Sequence, residues 1–179
     1  MSEFYSMNIA GVDCKLRLCE VSDSLSIAAF ILFGNTEVTV ASATELIKKA
    51  PEFDVIATPE AKSIPLAYEI SRQSGKPYVV ARKGTKVYMI NPIEVDVVSI
   101  TTQRPQKLYF GEDEVNMLKG KRVLIVDDVV STGESLAATR KLVEAAGGKE
   151  VATACVLAEG DAANRDDIIF LNKLPLFFK

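Results

Sequence analysis

The sequence runs to 179 residues, with 48% apolar and 25% charged side chains and a net charge of −3. Those proportions suit one globular domain with a substantial core and give no general attraction to nucleic acid. No apolar run reaches the length of a membrane span, and Met1 to Ala10 lacks the basic-then-apolar pattern of a leader, so a cytoplasmic location is expected. Histidine is absent, which removes every Ser-His and Cys-His nucleophile. Cys14, Cys19 and Cys155 lack metal-ligand spacing and are expected to be reduced thiols.

In chain order, residues 14–34 suggest two strands, about 14–20 and 26–33, around a Ser22-Asp23-Ser24 turn and closed by Gly34-Asn35. Phe30 and Phe33 are expected in the core, with stacking on a flat ring as the alternative. Ser42 and Thr44 can cap a helix running to Ala50, where Pro51 stops it. A short apolar strand, Asp54 to Ala57, leads into the turn Glu60-Ala61-Lys62-Ser63. A helix from Ile64 to Ser74 follows and ends at Gly75, with Ile64, Ala67, Tyr68 and Ile70 on its buried face. Tyr78 to Ala81 is the next strand. Strand, turn, helix and strand in this order make a crossover unit of a parallel sheet.

Arg82-Lys83-Gly84-Thr85-Lys86 then concentrates positive charge in one turn. Val95 to Ile100 alternates as a strand of a long antiparallel hairpin. Its polar tip, containing Thr101, Thr102, Gln103 and Arg104, reads as a flexible loop.

The most informative stretch is 121–135. Val123 to Val126 is an unbroken apolar run, as in a parallel strand buried on both faces. It runs into Asp127 and Asp128, then Val129 and Val130, then the small turn Ser131-Thr132-Gly133-Glu134-Ser135. An amphipathic helix occupies about 133–146, and a last strand ends near 158. Acids at the carboxyl end of such a strand mark the crevice where open α/β sheets bind ligands. The turn sets backbone N–H groups and hydroxyls at a helix N-terminus, a ready phosphate site. Neither a Walker loop nor a dinucleotide fingerprint is present. Two crossover units predict a doubly wound, mostly parallel α/β sheet. The whole is expected to be one domain (1–179), with a β-rich extension at about 1–50 and a core at 54–158.

The 121–135 stretch resembles the signature of the type I phosphoribosyltransferases, which bind 5-phosphoribosyl-1-pyrophosphate (PRPP). Thr58 to Ala67 is similar to the Glu-Ala-Arg-Gly turn and following helix of the adenine (purine) members, with Lys62 where they carry arginine. Arg82 to Lys86 is similar to their Arg-Lys-x-Gly-Lys segment, and Gln106 to Glu114 to their Leu-Glu-Tyr-Gly loop end. Glu159-Gly160 and Arg165 are weakly similar as well. One departure stands out: Tyr109 occupies the place of a glutamate that is a candidate proton acceptor, and Glu112 replaces it only if the loop folds over.

The resemblance implies a core sheet under a small β-rich hood built from the termini, 159–179 included. It implies ribose and 5-phosphate binding by Asp127, Asp128, Val129, Val130, Ser131, Thr132, Gly133, Glu134 and Ser135, with the two aspartates catalytic. Pyrophosphate would bind at Glu60, Ala61, Lys62, Ser63, Arg82, Lys83 and Lys86. Mg²⁺ would be held mainly by PRPP, with the 99–106 loop as lid and a homodimer as the assembly. The implied reaction is transfer of ribose 5-phosphate to a purine, adenine first, in purine salvage. The alternatives are a xanthine, hypoxanthine, guanine or orotate enzyme, and a non-enzymatic sensor of PRPP or purine nucleotides.

Overall fold

A computed structural model describes residues 3–97 and 106–179. It opens with β1 (Phe4–Ile9), β2 (Val12–Ser22) and β3 (Leu25–Ala29). β1 lies ahead of the first expected strand. Only its alternate side chains Tyr5, Met7 and Ile9 face the core, a half-buried pattern with weak apolar signal. Ala10 and Gly11, both at positive φ, turn β1 into β2, the backbone that a two-residue hairpin requires. β3 ends at Ala29. Beyond it Phe30 is buried, but Phe33 is 55% exposed and is not the core residue expected.

Helix α1 spans Thr36–Lys49, so Ser42 and Thr44 are interior residues rather than caps. Ser42 is fully buried, and Thr44 bonds the Val40 carbonyl and Gln73. The apolar face that includes Val38, Ala43 and Leu46 outweighed the capping preference of the two hydroxyls. β4 (Val55–Pro59), α2 (Ile64–Ser74) and β5 (Tyr78–Ala81) follow. Gly75 closes α2 in the left-handed conformation, as its position predicts. On α2, Tyr68 is 55% exposed, contrary to expectation, while Glu69 is buried. The Glu69 carboxylate accepts from Arg72 and Gln73, which is what permits its burial.

β6 (Ile93–Val97) and β7 (Gln106–Phe110) form the expected antiparallel ribbon. A short α3 (Glu112–Leu118) follows, its first turn closed by Gly111 N–H donating to Glu114. The sequence suggested no helix there. β8 (Arg122–Val130), α4 (Glu134–Ala145), β9 (Lys149–Glu159), a 3₁₀ turn (Gly160–Asn164), β10 (Ile169–Leu174) and β11 (Phe177–Phe178) complete the chain.

The central sheet has the order β10-β9-β8-β4-β5, parallel throughout. A second sheet, β1-β2-β3-β11, is antiparallel and joins the two ends of the chain in the expected hood. The carboxyl-terminal segment divides, β10 going to the central sheet and β11 to the hood. β8 is buried on both faces: Leu124 and Val126 belong to one apolar cluster with α1, α2 and the hood. Val123 and Ile125 belong to the other, with β7 and α4. Val129 packs on the cluster that the hood shares with α1 and α2. No helix among the described residues is long and apolar enough to cross a membrane.

Candidate active site

Beyond Arg122 at its start, β8 is apolar until Asp127 and Asp128 near its carboxyl end, and both acids are buried. Asp127 is 9% and Asp128 3% exposed. The Asp128 N–H donates to Asp127 Oδ1 at 2.9 Å, and Lys62 Nζ lies 2.9 Å from Asp128 Oδ2. That contact is an ion pair without the alignment of a hydrogen bond, so Asp128 Oδ2 remains a buried oxygen lacking a hydrogen-bond donor. Burial, and then the adjacent Asp128 carboxylate, hold the Asp127 carboxyl well above the usual range; the Asp128 N–H and Lys62 oppose this more weakly. Two such acids cannot both be bare anions at little cost.

One crevice is lined by Asp127, the 129–136 segment, Lys83 and Gln106. In its wall Ser131, Thr132 and Ser135 are exposed, and Gly133 takes φ +81° at the entry to α4. A side chain there would be strained and would also collide with Arg165, whose Nη1 lies 2.5 Å from the Cβ position.

The second turn is fixed from beneath. Thr58 Oγ1 lies 2.7 Å from Ser63 Oγ and 2.9 Å from the Val126 carbonyl oxygen. Ser63 Oγ donates to the Pro59 carbonyl at 2.9 Å. The Ser63 hydroxyl therefore holds the turn and is buried, leaving Lys62 as the side chain the turn extends toward Asp128. The Glu60–Ala61 peptide is cis. Glu60 faces the basic segment: its Oε2 accepts from Lys83 N–H at 2.9 Å and stands 3.4 Å from Arg82 Nε. Glu60 thus ties the two candidate pyrophosphate segments together. Arg82 is further held by backbone bonds in both directions with Tyr109. Lys83 reaches the crevice, whereas Lys86 is exposed outside its lining.

Thr101, Thr102, Gln103 and Arg104 lie outside the described residues. Glu112 does not fold over the crevice: the length of β7 separates it from Gln106, and it stands at the head of α3 beside Asn91. Tyr109 spends its backbone on the Arg82 bridge. Cys14, Cys19 and Cys155 are free thiols. Cys155, paired in register with Asp127, is pushed up to about 12, chiefly by burial. The bracing role of the Thr58 hydroxyl was not legible in the sequence, although a lone hydroxyl in a strand buried throughout needs a partner. The partners of Arg165 were equally invisible: Asp167 grips it, and Arg140 of α4 grips Asp167.

Comparison with known proteins places the chain in a family. Residues 38–174 match the phosphoribosyl transferase domain family. Over 112 residues the chain is 42% identical to a hypoxanthine/guanine phosphoribosyltransferase of Methanococcus voltae, covering 63% of this chain and 56% of that protein, little more than half its length. Over 142 residues it is 32% identical to an adenine phosphoribosyltransferase of Cenarchaeum symbiosum, covering 75% and 78%. Its fold matches a crystal structure of adenine phosphoribosyltransferase from Thermoanaerobacter pseudethanolicus with a TM-score of 0.68. That match spans 96% of this chain and 95% of the other at 23% identity, a likeness of fold. The central parallel sheet and the antiparallel sheet built from both chain ends are thus matched in fold, and with 38–174 matched by the family model the chain belongs to the phosphoribosyl transferase family.

Proposed function

We propose that the protein transfers ribose 5-phosphate from PRPP to a ring nitrogen of a purine base and releases pyrophosphate. One observation supports this reading: two unlike candidate anion sites come together at the carboxyl ends of β4 and β8. The β8 turn offers hydroxyls and backbone donors beside two acids; Lys62 and Lys83 offer cations from β4 and β5. The Lys62–Asp128 pair at 2.9 Å joins them. A sugar with a phosphate at one end and a pyrophosphate at the other fits that pair better than a simple phosphate.

In the reaction the bond from C1 to pyrophosphate breaks, the base nitrogen bonds C1, and that base gives up a proton. Positive charge grows on the ribose near Asp127 and Asp128, while negative charge grows on pyrophosphate near Lys62, Arg82 and Lys83. Ser131, Thr132, Gly133 and Ser135 hold the 5-phosphate, so remote binding energy aligns the ribose. Mg²⁺ suits this oxygen-rich surround, where Asp128 Oδ2 is buried without a hydrogen-bond donor; carried by PRPP oxygens, it would help neutralise the leaving pyrophosphate.

Relatives with hypoxanthine/guanine and adenine names both point to a purine, and adenine is the base expected first. Incubation with PRPP, Mg²⁺ and each of adenine, hypoxanthine, guanine, xanthine and orotate should give one purine nucleotide well above the rest. PRPP binding without product from any base would favour a sensor. The assembly is proposed to be a homodimer. Val87, Tyr88 and Ile90, beside the basic segment, are each more than 60% exposed, an apolar patch that a second copy would cover. Sedimentation velocity should show a dimer that Ile90→Asp weakens; a wild-type monomer at all concentrations would remove this assembly.

A further inference from the structure

The 5-phosphate turn has a deficit that its own sequence does not meet. Residues 131–135 contain no lysine or arginine but include Glu134, and they follow Asp127 and Asp128. Helix-end N–H groups attract an anion, and Lys83 lines the same crevice, but the turn itself contributes no full positive charge to a doubly anionic phosphate.

Arg165 stands where that charge is needed. Its Nη1 lies 2.5 Å from the point where a Gly133 Cβ would sit, and its Cζ 3.7 Å from it. The opposite edge of the guanidinium is clamped: Nε donates to Asp167 Oδ1 at 2.8 Å and Nη2 to Asp167 Oδ2 at 2.7 Å. Arg140 Nη1 donates to the same Oδ2 at 2.8 Å. Arg140 also donates to Glu150 at 2.9 Å. The four groups balance in charge, and the guanidinium of Arg165 is the member that stands against the turn. Because Arg140 belongs to α4, the clamp is referenced to the helix whose first turn forms the cradle. Nη1 itself has no hydrogen-bond partner among the described residues.

We propose that Arg165 is a positioning residue for the ribose 5-phosphate end of the substrate. Clamped by Asp167, it holds the Gly133 turn in its anion-accepting shape and supplies the positive charge the turn lacks. The side chain is 30% exposed and does not line the crevice, so it acts through Gly133 rather than as a catalytic residue. The inference rests on the phosphoribosyltransferase reading of the same crevice.

Calorimetric titration of the whole chain with ribose 5-phosphate, and separately with Mg²⁺-pyrophosphate, tests it without needing the base. Arg165→Met should weaken ribose 5-phosphate binding about tenfold and leave pyrophosphate binding unchanged. Arg165→Lys, which keeps the charge but not the fork, should fall between the two. Equal ribose 5-phosphate affinity in wild type and Arg165→Met overturns the proposal, as does an equal loss for both ligands or Arg165→Lys as weak as Arg165→Met. Wild type that binds neither ribose 5-phosphate nor PRPP removes the function reading itself, a result distinct from these. A thermal-stability cycle checks the contact: Gly133→Ala should destabilise less in Arg165→Met than in wild type, and strict additivity counts against it.

Discussion

Asp128→Asn is expected to lower turnover by about 10²- to 10³-fold, the range found when one group that stabilises transition-state charge is removed. The substitution preserves shape, so it leaves no cavity around a side chain that is 4% exposed. It deletes the carboxylate nearest Lys62 and one of the two proposed to face the developing ribose cation. It also removes one of the causes that hold the Asp127 carboxyl high, so Asp127 should ionise at lower pH in the variant. Single-turnover rates with PRPP and the accepted base, measured across pH, check both effects. Near-normal turnover would take Asp128 out of the catalytic group. A melting temperature well below wild type would assign the loss to folding instead.

Lys62→Met is expected to cost about 1–3 kcal/mol of stability at neutral pH, less than for a fully enclosed pair because the lysine is half exposed. The direction with pH follows from Asp127. Its native carboxyl is held well above the ordinary value, so the native state keeps a proton that the unfolded chain releases. The associated stability is fully present below the ordinary carboxylate range and is lost as pH rises through the raised native value. Lys62 opposes that rise; without it the loss extends to higher pH, and the gap between variant and wild type should widen as pH rises through the raised native value. Urea unfolding of both proteins across a pH series reads this directly. An equal gap at every pH would mean that the lysine stem contributes by packing alone. Binding of Mg²⁺-pyrophosphate should weaken in the same variant, since the ammonium is proposed to serve that end.

Elements with strong local signals were legible in the sequence. The apolar run 123–126 suited a strand enclosed on both faces, and α2 was delimited by its apolar spacing and Gly75. β5 was marked by Pro77 before it. Weak or competing signals misled. β1 buries only alternate residues, so its apolar content is diluted. At α1 the capping preference of Ser42 and Thr44 competed with an apolar face that reaches back to Val38, and burial prevailed. Tyr68 and Glu69 exchanged roles because Arg72 and Gln73 satisfy the carboxylate, which a list of apolar positions cannot register.

The sequence alone determined the chemistry of the parts: an acid pair at a strand end, a hydroxyl-rich helix entry, a lysine-bearing turn and a basic segment. Each is written in neighbouring residues, where spacing along the backbone dictates geometry. Only the tertiary structure decided which parts meet. Parallel pairing of β4 with β8 brings Lys62 to Asp128, and the buried Thr58 hydroxyl bonds across that pairing to Val126. Glu60 turned out to tie Arg82 and Lys83 to the first turn, and Ser63 to brace it. Arg165, distant in sequence and carrying only a faint resemblance, closes on Gly133 through Asp167. Such contacts arise from sheet order and burial, which no local spacing encodes.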